Sequence, residues 1–119
     1  MIAAAAALGA AAVLLGAFAA HGLKERLSAE ALAWFETGVR YQMYHALALL
    51  LCGVLARTGS APRASAVCFV LGTALFSGSL YVLALTDARW LGMVTPLGGA
   101  AFVLGWLLLL RHGRAAGSP

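Results

Sequence analysis

Charge is scarce in this chain. Eight Lys or Arg and four Asp or Glu are all that 119 residues carry, a tenth of the total, against 63% hydrophobic residues. A soluble domain is about a quarter charged, so water cannot be the solvent for most of this surface. Acids are the scarcest class, and the net charge of +4 follows from their shortage. No basic run accompanies it, which excludes a nucleic-acid footprint and leaves loops facing anionic headgroups. Cysteine is limited to Cys52 and Cys68, in no zinc- or haem-attachment spacing. Both lie in apolar stretches and read as small hydrophobes rather than a disulfide. The glycines form no nucleotide fingerprint, and no serine–histidine–acid arrangement is suggested.

What is abundant is uninterrupted apolar sequence. The stretches 2–20, 41–56, 64–85 and 90–110 are free of charge. A hydrocarbon core of about 30 Å needs about 20 helical residues, so three are long enough and the second is slightly short. The expected fold is an all-α membrane protein: four transmembrane helices in an up-down bundle, with an amphipathic interfacial segment before the second. Residues 1–119 form one domain, because short links leave no room for another. Ala17-Phe18-Ala19 has the small-x-small form of a signal-peptidase site. No Lys or Arg precedes it and the apolar run nearly spans a bilayer, so it reads as a retained first span.

Ala5, Gly9, Ala12, Gly16 and Ala20 suggest a small-residue seam on the first span, and Ala74 with Gly78 another on the third. In residues 21–40, Leu23, Leu27, Ala31, Trp34 and Phe35 recur at helical spacing among charges. Ser28 is the expected N-cap of one long helix reaching Ala56, with Trp34 at headgroup depth. Glu36 and Arg40, four apart, are positioned to pair. Asp87 is expected to pair with Arg89 or to cap a helix end. At Thr95-Pro96 two geometries fit: a helix that starts there after a short interfacial piece, or one longer helix kinked by the proline. Residues 115–119 are expected to fray.

Four spans bring both termini to one end. That near end holds Arg57, Arg63, Arg111 and Arg114 without an acid; the far end holds Lys24, Arg26, Arg40 and Arg89 with all the acids. Lys and Arg tie, and the net-charge difference places both termini in the cytoplasm of an inner (plasma) membrane protein. The same topology gathers His21, Tyr41, Gln42, His45, Ser77, Ser79, Tyr81, Thr86 and Thr95 at the far end. His45 lies about one turn inside the second span, where it is expected to be neutral and bonded to Ser77, Ser79 or a backbone carbonyl. Three roles fit the cluster: interhelical hydrogen bonding, a small-ligand or proton site, or a metal or haem site. The first needs least, and no metal, cofactor or catalytic residue is assigned. Tyr41, Tyr44, Tyr81 and Trp90 read as interfacial aromatics.

Four ordered motifs run through the chain: Gly16-Ala17-Phe18-Ala19-Ala20-His21-Gly22-Leu23, Tyr41-Gln42-Met43-Tyr44-His45-Ala46-Leu47, Leu75-Phe76-Ser77-Gly78-Ser79-Leu80-Tyr81, and Thr95-Pro96-Leu97-Gly98-Gly99 with Gly105-Trp106. Together they resemble the YgdD-like family of small multi-pass membrane proteins, a domain of unknown function. Ala19 departs from the glycine that the family's pattern carries there. The resemblance implies a membrane-embedded helical fold and no reaction. Its motifs fall on His21, Tyr41, Gln42, His45, Ser77, Ser79, Tyr81, Thr95 and Pro96. The expected role is therefore a structural or accessory membrane component without catalytic activity. Its expected partners are lipids, other membrane proteins or further copies of itself. The alternative is a binding or transport protein using the cluster around His45.

Overall fold

A computed structural model describes residues 1–116, all of them helix or short turn. Helix α1 (Ile2–Phe18) continues through a π turn (Ala19–Leu23); α2 spans Ala29–Arg57. Helices α3 (Arg63–Gly72) and α4 (Gly78–Thr86) are joined by a second π turn (Thr73–Ser77). A 3-10 turn (Arg89–Met93) leads into α5 (Thr95–Ala116). Four segments are long and apolar enough to cross a membrane: Ile2–Leu23, Ala29–Arg57, Arg63–Thr86 and Arg89–Ala115. The chain is a multi-pass, all-helical membrane protein. Of the tail expected to fray, Ala115 and Ala116 are helical and the rest lies outside the described residues.

Helix α2 is longer than its apolar stretch because Ser28 starts it early. The Ser28 hydroxyl accepts from the Ala31 amide at 3.1 Å, satisfying one of the orphan donors of the first turn. The amphipathic residues before the apolar run are therefore the opening turns of α2 itself. Their expected Glu36–Arg40 pair does not form; Arg40 turns instead to the Thr37 hydroxyl at 3.3 Å. At the other loop, Asp87 does both things expected of it. It ends α4 in the left-handed conformation at φ 53°, and its carboxylate meets Arg89 at 3.3 Å. The Thr95-Pro96 break takes the first geometry: the 3-10 piece ends and α5 begins at Thr95. Pro96 sits in the first turn, where its missing N–H costs nothing.

The helices pack in the order α1, α2, α3/α4, α5. Contacts such as Gly53 with Ile2, Gly38 with Tyr81 and Gly105 with Phe69 make each antiparallel to the next. The cross-section is oblong, 26 × 16 Å. Helix α3 packs chiefly on α5 and α4 chiefly on α2, while the π turn between them touches both. One extra residue in that turn re-aims the helix by about 100°.

This shift also changes which small residues form seams. Ala74 is exposed and Gly78 has open space around it, so the expected Ala74–Gly78 seam faces outward. On α1 the buried small residues are Ala5, Ala12 and Ala19, seven apart; Gly9 and Ala20 lie off that line. Seven-residue spacing keeps one stripe facing a partner helix that crosses at a shallow angle. The tightest approach is at Gly98, where a Cβ would lie 2.3 Å from the Phe76 backbone nitrogen. Backbone cannot rotate away, so this position admits only glycine. Gly98→Ala is expected to cost about 1–3 kcal/mol through overpacking. Gly78→Ala, in open space, is expected to be neutral or to gain up to about 1 kcal/mol. Unfolding by SDS titration in mixed micelles measures both, and equal midpoints for the two would refute the close approach.

Candidate functional site

Three hydrogen-bonded groups link the spans through their polar residues, while buried Thr73 donates within its own helix to the Phe69 carbonyl at 2.9 Å. The first is built on Gln42. Its Nε2 donates to the Leu8 carbonyl on α1 at 2.8 Å, and its Oε1 accepts from the Tyr81 hydroxyl on α4 at 2.8 Å. One amide thus ties the first, second and third spans together. Tyr81 reaches it because Gly38 leaves room: a Cβ there would lie 2.8 Å from the Tyr81 ring. Beside it the Ser77 hydroxyl donates to the Gly38 carbonyl at 2.7 Å.

The second group surrounds His45. Its Nδ1 lies 2.8 Å from the Tyr41 carbonyl, and its Nε2 accepts from the Trp106 indole on α5 at 3.2 Å. A carbonyl only accepts and an indole N–H only donates. Nδ1 must therefore carry the hydrogen and Nε2 the lone pair, which makes this imidazole neutral. The ring stacks on Phe102 with centroids 3.4 Å apart and planes 5° from parallel. Phe69 closes another side at 5.5 Å. Gly72 lets Phe102 in, since a Cβ there would lie 2.4 Å from that ring.

The third group joins the far-end turn to the bundle. Ser79 and Thr95 share a hydrogen bond at 2.7 Å; Thr95 also reaches the Leu91 carbonyl at 3.3 Å and Ser79 the Phe76 carbonyl at 3.0 Å. The Thr95 hydroxyl is thereby spent on Ser79 and Leu91. Among the described residues, no buried side-chain nitrogen or oxygen lacks a partner.

The expected single cluster at the far end is thus three groups strung along the bundle. His45 lies 16 residues from the start of α2, one turn past the beginning of its apolar run at Tyr41, and bonds a backbone carbonyl, as expected. Ser77 and Ser79 bond elsewhere and leave His45 to Tyr41 and Trp106. His21 is exposed in the middle of the first π turn and joins none of these groups. The Tyr41 ring packs on Phe76 at 4.6 Å, and the backbone carbonyl, not the phenol, serves the site. Tyr81 is half-buried and bonded to Gln42 rather than interfacial, whereas Trp90 is exposed in the 3-10 turn. Thr86 closes on its own helix, donating to the Val82 carbonyl at 2.6 Å.

Phe102 and Gly38, and Trp106 beyond its place in a motif, were not among the expected site residues. Trp106 carried a signal: a donor-only indole in a charge-free span needs an acceptor. Also outside that expectation were Ser60 and His112, which bond at 3.0 Å and fasten the second link to the end of α5.

Residues 15–99 match a family described as protein of unknown function, DUF423. This chain belongs to that family. It is 46% identical over 98 residues to the UPF0382 membrane protein of Haemophilus influenzae, covering 82% of this chain and 79% of that one. It is 46% identical over 103 residues to the UPF0382 membrane protein YwdK of Bacillus subtilis, with 83% of each covered. Against the UPF0382 inner membrane protein YgdD of Escherichia coli the identity is 46% over 100 residues, 82% of this chain and 76% of the relative. No solved structure matches it.

A polar side chain that bonds another across transmembrane helices contributes about 0.6 kcal/mol on average and about 1.7 at most. Tyr81→Phe keeps the ring and removes only the hydroxyl, whereas Trp106→Phe removes the indole N–H together with part of a ring that packs on Phe69. Tyr81→Phe is expected to lower SDS-unfolding stability within that range, Trp106→Phe by at least as much, and the two losses are expected to add. Two variants as stable as wild type would remove the hydrogen bonds described here.

Proposed function

We propose that this protein is a structural or accessory component of the inner (plasma) membrane, without catalytic activity, and that both termini face the cytoplasm. The observation that carries the reading is the pairing of the buried polar groups with one another. Gln42, His45, Ser77 and Tyr81 are spent on holding helices together, and His45 has neither nitrogen left for a proton or ligand. The orientation is supported by the arginines that gather, without an acid, at the near end. The relative YgdD, named an inner membrane protein, supports the inner membrane.

An accessory role needs surface for partners, and the outer spans offer it. Val13 and Leu14 on α1, and Val103 and Leu104 on α5, are exposed on flanks that no other helix of the chain covers. These flanks suit lipid, a second copy or another membrane protein. Purified protein in liposomes is expected to conduct protons no faster than empty vesicles, and His45→Ala to leave that rate unchanged. In membranes, cross-linking through single cysteines at Val13 or Val103 is expected to trap a neighbour. Proton flux above the empty-vesicle rate that His45→Ala abolishes would replace this reading with a transport one.

A further inference from the structure

We propose that the near end carries a specific site for an acidic phospholipid, with its headgroup phosphate on Arg63 and an acyl chain in the valley between α1 and α3. The proposal needs only the membrane setting and stands whether or not the protein is catalytic.

Because the helices pack in a row, α1 and α3 flank α2 and leave a valley over it. Leu49 of α2 forms its floor, Met1 and Ala4 one bank, and Val67, Val70 and Leu71 the other, around a hollow of ≈ 400 Å3. Val67 and Leu71 are 57% and 53% exposed, so this is an open apolar channel along the helices. From Arg63 to Leu71 it runs eight residues, about 12 Å. One leaflet's share of the hydrocarbon core is about 15 Å. The valley therefore matches most of the depth that an acyl chain occupies.

Its mouth is cationic. Arg63, the first residue of α3, borders this hollow and two others: one shared with Arg57 and one with Arg111 and His112. Among the described residues no ion pair or hydrogen bond engages the guanidinium of Arg57, Arg63 or Arg111. Glu25, Glu30, Glu36 and Asp87 all lie toward the other end, so among the described residues no acidic side chain competes. Guanidinium presents a planar fork that a phosphate fits in a bidentate manner. Basic pockets between transmembrane helices are the expected receptors for such headgroups.

The far end supplies a contrast. A hollow of ≈ 370 Å3 there, lined by Trp34, Leu83, Arg89 and Pro96, is apolar too. Arg89, however, is held 3.3 Å from Asp87, and its charge is already offset. The two ends thus differ in charge and not in the presence of a groove.

The test uses the full chain in neutral detergent, with native mass spectrometry counting bound lipid and thermal unfolding as a second readout. Phosphatidylglycerol is expected to bind and stabilise, and phosphatidylcholine to do so at least about fivefold more weakly, the factor for one cation at an acidic headgroup. Arg63→Gln is expected to remove a similar factor. Val67→Trp, at a lipid-exposed position, is expected to block the valley and lower binding while leaving the unliganded melting temperature unchanged. Arg89→Gln is expected to change nothing. Equal binding of both lipids, full binding by Arg63→Gln, or the same stabilisation by inorganic phosphate alone would overturn the proposal.

Discussion

Hydrocarbon offers no hydrogen-bond partner. Each donor and acceptor within the spans must find its complement inside the protein, and most of this architecture follows from that demand. Helical backbone meets it within each span. Side chains meet it through three groups, and each draws on backbone carbonyls: Leu8 and Gly38 in the first, Tyr41 in the second, Phe76 and Leu91 in the third. A helical carbonyl has a second lone pair beyond the one its own ladder uses, so it accepts a side chain without giving up its helix.

Such bonds require close backbones, which explains the distribution of small residues. Gly38 stands where Ser77 and Tyr81 approach α2, Gly72 where Phe102 enters beside His45, and Gly98 where α5 meets Phe76. Association in lipid gains little from the hydrophobic effect, so contact and hydrogen bonding must share the work. Each polar group here lies beside a glycine or a stripe of alanine. The polar and packing features are therefore one device, and loosening either would open the other.

Much of the fold was legible in the sequence. Four charge-free stretches announced four spans, Ser28 announced the start of α2, and Asp87 and Pro96 marked helix boundaries by rules that depend only on local backbone chemistry. Burial of Gln42, His45 and Ser77 followed from polarity inside apolar runs. Facing was not legible. Ala74 and Gly78 have the spacing of a seam, but spacing assumes an unbroken α-helix, and a π turn intervenes. Trp106 was missed because its partner lies 61 residues away in sequence, and a pairing across that distance depends on the register of two other helices.

That π turn ties chain length to chemistry. The same residues wound as unbroken α-helix would turn everything beyond the π turn by about 100°. Ser77 would then leave Gly38, and Tyr81 would leave Gln42, although no residue at either bond had been altered. Loss of one residue between Thr73 and Phe76 would convert the turn to regular helix and leave the residues beyond it where they stand, so relatives should accept a single gap here far more readily than a single insertion.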